Sequence, residues 1–143
     1  MKQICLILLA LTLLLSCDKK EAVPVKNEKK SEFVMYEMSE MAALMEQMYV
    51  ENAKLRNRII AGDTLGGYPD FYLKIKTSKM TDIQDNDQFF KDHSQKFLEA
   101  QELIYRDKDQ AKERFNASVD ACIKCHEVKC GGPITRIKKL YIP

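Results

Sequence analysis

Residues 32–61 read EFVMYEMSEMAALMEQMYVENAKLRNRIIA, with no glycine or proline to interrupt them. Met38, Met41, Met45, Met48 and Leu55 recur there at three- and four-residue spacing, with Leu44, Asn52 and Ile59 close by. That period belongs to an α-helix with one apolar stripe. Glu37, Glu40, Glu46, Glu51, Lys54 and Arg56 fall mostly on the other side, and Gly62 supplies the stop. A long amphipathic helix at this point commits the chain to a helical architecture, provided the residues after Gly62 keep the same period.

They do. Leu65 to Asp70 reads as a turn, and Pro69 and Asp70 are suited to open a second, shorter helix through Phe71, Tyr72 and Ile75 towards Lys79. Residues 81–87 form a polar connection with several N-cap candidates. Phe89, Phe90, His93, Phe97, Ala100 and Ile104 then repeat at helical spacing as far as Tyr105. After a break at Asp107 to Asp109, a fourth helix carries Ala111, Phe115, Val119, Cys122 and Ile123 on one stripe and runs on into Cys125 and His126. No strand-like alternation of any length occurs. Four helices with mostly short connections predict an all-α, antiparallel four-helix bundle. Gly131-Gly132-Pro133 must end the last helix, and Ile134, Ile137, Leu140 and Ile142 predict a C-terminal tail that folds back on the bundle.

Upstream of residue 32 the composition changes twice. Lys2, the apolar run Ile4 to Leu15 and the small Ser16 have the form of a secretory signal peptide over residues 1–16. Leu14-Leu15-Ser16-Cys17 resembles the lipobox of bacterial lipoproteins, which implies cleavage before Cys17 and lipidation of Cys17. Residues 17–31 are rich in Lys with Glu, Asp and Asn among them, and read as a lipid-anchored flexible tether with a reach of roughly 20 Å. The folded domain is then 32–143. This organisation predicts a protein exported and lipid-anchored to a bacterial membrane, on its periplasmic or cell-surface side.

Composition narrows the function. The formal net charge is only +2, and losing Lys2 with the leader lowers it by one, so a basic nucleic-acid-binding surface is excluded. No nucleophile with an adjacent base and no phosphate-binding glycine loop is present, so no enzymatic activity is predicted. Oligomeric state is left open by the sequence, and a homodimer is compatible with it.

One motif carries chemistry: Cys122-Ile123-Lys124-Cys125-His126, the C-x-x-C-H signature of covalent c-type haem. Two thiols three residues apart on a helical turn can each join one vinyl group of the porphyrin, and the adjacent imidazole can bind the iron. Cys122 and Cys125 are therefore the candidate attachment residues for one haem c, with His126 as proximal ligand. A zinc site from Cys122, Cys125, His126 and Cys130 is the rival. It would have to wrap an ion with ligands drawn from nine residues of chain. A thioredoxin-like pair would need a βαβ setting that the helical period denies.

With the motif in the fourth helix and the first helix rich in Met, residues 32–126 resemble the cytochrome c-prime family and its Met-ligated low-spin relatives. In that family the distal side of the haem faces the first helix. The resemblance implies that Met45 is the distal residue and Met48 its packing neighbour; Met41, Met48 or no Met at all remain alternatives, and Met is in any case a common core filler. His93 is read as a rim or core residue rather than a ligand. Nothing selects among Tyr36, Tyr49 and Tyr105 for a place at the haem edge. Lys129, Arg136, Lys138 and Lys139 are read either as a solvated face or as a contact for haem propionates or an acidic partner.

Two functions are compatible with these expectations. With sulfur on the iron, the protein is a membrane-anchored carrier of single electrons, exchanging them with redox proteins at the membrane. With a packed but unligated distal side, it is a five-coordinate binder or sensor of small gases such as nitric oxide.

Overall fold

A computed structural model describes residues 37–143. The expected signal peptide 1–16, the lipidation site Cys17, the tether 17–31, and Met35 and Tyr36 lie outside the described residues. No strand occurs among the described residues, and no helix there is long and apolar enough to cross a membrane.

The architecture is all-α. Helix α1 spans Glu40–Ala61, α2 spans Gln88–Arg106, α3 spans Ala111–Lys129, and a single turn, α4, spans Ile134–Ile137. Helix α1 begins later than its apolar period suggests. Ser39 takes an extended conformation and its hydroxyl accepts the Ala42 amide, so the N-cap lies after Met38, which is half exposed and outside the stripe. The cap is tied down from outside as well. Ser39 and Thr81 share a hydroxyl hydrogen bond at 2.9 Å, and the Met41 amide donates to the Lys79 carbonyl at 3.0 Å. At the other end, Gly62 sits at φ +71°. Its amide bonds the Ile59 carbonyl and the Asp63 amide bonds that of Arg58, the paired pattern of a Schellman stop.

The second expected helix is where the four-helix expectation needs correcting. Asp70–Lys76 is a 3₁₀ segment, not an α-helix. Its burial explains why so short a piece holds: Tyr72 is fully buried and Ile75 nearly so, and Tyr72 meets Phe71, Tyr68 and Phe97 with ring centroids 4.4, 5.7 and 5.7 Å away. Packing of aromatic rings, not helix propagation, fixes this segment. The connection at 81–87 contains the 3₁₀ turn Ile83–Asp85, and Asp87 caps α2 by accepting the Phe90 amide at 2.9 Å. The break after α2 is the 3₁₀ turn Lys108–Gln110, braced by Arg114, which donates to Asp107 through Nε and Nη2.

The core has two parts. Met41, Leu44, Met48, Tyr72, Ile75, Phe90, Phe97 and Leu98 form one. Leu55, Ile104, Phe115, Val119 and Ile123 form the other, together with Ile137, Leu140 and Ile142 from the C-terminal segment. The tail therefore does fold back, as its apolar spacing predicts. Polar contacts pin it as a strap: Asn116 donates to the Ile142 carbonyl and accepts the Ile142 amide, both at 2.9 Å. Arg56 Nε donates to the Tyr141 carbonyl at 3.2 Å, and the Tyr141 hydroxyl donates to Asp120. Cys122 packs against both parts of the core.

Candidate functional site

Between α1, α2, α3 and the strap lies an open recess with a cavity volume of about 90 Å³. Helix α3 contributes Ala121, Cys122, Cys125 and His126; α1 contributes Met45, Met48, Tyr49 and Asn52; α2 contributes Phe90, His93, Ser94 and Phe97. The strap adds Pro133, Ile137 and Leu140. The structure thus brings the C-x-x-C-H residues and two of the three candidate Met residues to one largely apolar concavity, the type of site in which cofactors are held.

Helical geometry explains the placement. Cys122, Cys125 and His126 are separated by three and four residues on α3, so all three reach one face. Ile123 points instead into the second core cluster, and Lys124 stays exposed. On α1, Met45, Met48 and Asn52 have the same spacing. Met48 is 5 % exposed and Met45 is half-buried, and both line the recess. Met41 is buried in the core away from it.

His126 is oriented by its own helix end. Its Nδ1 donates to the backbone carbonyl of Cys130 at 2.9 Å, since a carbonyl can only accept, and in the neutral ring that bond leaves Nε2 as the nitrogen available to a metal. A second partner on the far nitrogen is what fixes a metal-binding imidazole. Cys130 thereby has a place in the site through its backbone, while its thiol is exposed and free.

The cysteines of the motif are free thiols. Burial pushes the Cys122 thiol up to about 12, with the neighbouring Cys125 adding to the rise. Burial also raises Cys125, only partly opposed by Lys129. Both are therefore neutral near pH 7. Among the described residues no three His, Cys, Asp or Glu side chains gather into a metal-binding group.

His93 lies on the wall of the recess, stacked on Phe89 with centroids 4.1 Å apart. Of the tyrosines, Tyr49 lines the recess and Tyr105 packs edge-on to Tyr68 instead. Asn52 is buried in the recess wall, donating to the Met48 carbonyl at 2.9 Å and accepting from Gln101 at 2.6 Å. The basic residues after the motif divide. Lys129 reaches back to Asp87 at 2.6 Å and Asp85 at 3.6 Å, and this hydrogen bond to Lys129 holds the Asp87 carboxyl below its usual range. Arg136 pairs with Glu46 across the recess mouth. That pairing spans ninety residues of sequence, and no local pattern announces it.

The donor set fits a covalent haem. Two thiols and an imidazole line a largely apolar recess that has thioether sulfurs on another wall. Comparison with known proteins adds no relative: no protein-family model, no curated protein and no solved structure matches the chain.

Proposed function

We propose that this protein is a monohaem c-type cytochrome that carries single electrons at a membrane, resembling the cytochrome c-prime family in the place of its motif. The observation that carries the reading is the convergence of Cys122, Cys125 and His126 on the recess lined from α1 by Met45 and Met48. Cys122 and Cys125 would hold the haem by thioethers, and His126 would ligate iron through Nε2, with Cys130 fixing the ring. A haem bound there supplies a reversible one-electron iron couple. Met45 or Met48 would give the sixth ligand, and a thioether sulfur favours the reduced state. Phe90, Phe97, Ile137 and Leu140 line the site with buried apolar side chains, which would keep reorganisation of a bound haem small. Anchoring through a lipid on Cys17 would keep the domain near its redox partners.

The test is haem staining after denaturing electrophoresis of the full chain, made with haem-maturation machinery. Wild type should carry covalent haem, and C122A and C125A should lose it; a wild type without covalent haem overturns the reading. The ferric optical spectrum then separates electron transfer from gas binding. Low-spin bands with the far-red band of sulfur ligation, lost in either M45A or M48A, support transfer. High-spin bands with ready carbon monoxide binding turn the reading to the gas sensor.

A further inference from the structure

We propose that Arg136, carried across the mouth of the recess by the C-terminal strap, is the receptor for a haem carboxylate. The proposal rests on the haem reading above. A haem joined to Cys122 and Cys125 still brings two carboxylates, and an anion beside an apolar recess needs a cation within reach. Among the described residues that line the recess, Arg136 is the one permanent cation.

Its geometry leaves donors for a second carboxylate beside Glu46. The guanidinium carbon lies 3.8 Å from the centroid of Tyr49, so the plane is held against an aromatic face. Nη1 alone contacts both Glu46 oxygens, at 2.6 and 2.7 Å, so the two-nitrogen fork that matches a carboxylate is not matched to Glu46. Both side chains are about half exposed, 43 % and 50 %, where an ion pair is weak and open to competition. The strap that delivers Arg136 is tied down on its C-terminal side, to α3 by Asn116 at Ile142 and to α1 by Arg56 at Tyr141. Glu46 and Tyr49 thus position the guanidinium, and a haem carboxylate takes the remaining donors.

The experiment uses the full chain with covalent haem confirmed by staining; its absence from wild type overturns the functional reading and this proposal with it. Resonance Raman propionate bending modes and the midpoint potential are then compared among wild type, R136Q, R136K and E46Q. Removing a cation beside the haem favours the ferric state, so R136Q should lower the potential, and E46Q should raise it. The bending modes should shift in R136Q and shift less in R136K. N116A, which loosens the strap and leaves the charge, should shift them in the same direction as R136Q. Haem-loaded variants whose bending modes match wild type overturn the proposal, even where the potential tracks the charge.

Discussion

Tyr72 has no exposed surface, and its hydroxyl finds no partner among the described residues. A buried hydroxyl without a hydrogen bond costs stability that its ring recovers by packing. Y72F should therefore raise the unfolding free energy by about 1 kcal/mol in a denaturant titration. Cys122 makes a second prediction at this scale. Its thiol titrates near 12 in the fold against 9.0 for the ordinary group, so the folded state keeps a proton that the unfolded chain gives up. The haem-free protein should hold this contribution below pH 9 and lose it as the pH rises through that window. Unfolding curves of C122S should lack the loss. Single residues were the most legible level of the sequence where chemistry set the spacing: Cys122, Cys125 and His126 reach one recess because three and four residues are the helical repeat. His126's partner was not legible, because a backbone carbonyl carries no residue signature.

Helix α1 shows what an element reveals and what it conceals. Its stripe Met41, Leu44, Met48, Asn52 and Leu55 is buried in the order the period gives, and its stop at Gly62 is where glycine marks it. G62A should cost about 1 kcal/mol in thermal or chemical unfolding, because an alanine resists the left-handed conformation. Nothing lies within 4 Å of the added Cβ, so the cost is conformational and not steric. Helix α2 is read less well. Its buried side chains are Phe90, Ser94, Phe97, Leu98, Gln101 and Ile104, which sets His93 and Ala100 at the edge of the stripe. A hydropathy pattern treats Ser94 and Gln101 as surface, yet Gln101 is buried against Asn52 of α1, a long-range pairing that no local window contains. The 3₁₀ segment Asp70–Lys76 fails for a related reason: the contact of Tyr72 with Phe97 helps decide its shape, and Phe97 comes from another element.

In the whole molecule, two core clusters meet at Cys122, and the recess opens beside that junction. Filling an apolar recess removes surface from water, so the haem-loaded chain should melt above the haem-free C122A/C125A double variant, by calorimetry of both forms at one pH. The class of the fold was legible because its apolar period is helical throughout. The arrangement around the recess was not, because its last wall comes from residues 131–143 and is set by Asn116, Arg56 and Asp120. That strap has a consequence for motion. Its polar ties are side-chain contacts to those helices and not rungs of them, so an opening of the strap would expose Ile137, Leu140 and Ile142 yet leave the helical ladders of α1, α2 and α3 intact. Amide hydrogens such as that of Ile142 should then exchange with deuterated solvent by a sub-global opening, sooner than those in the middle of α3, and the seal would breathe while the scaffold stays shut.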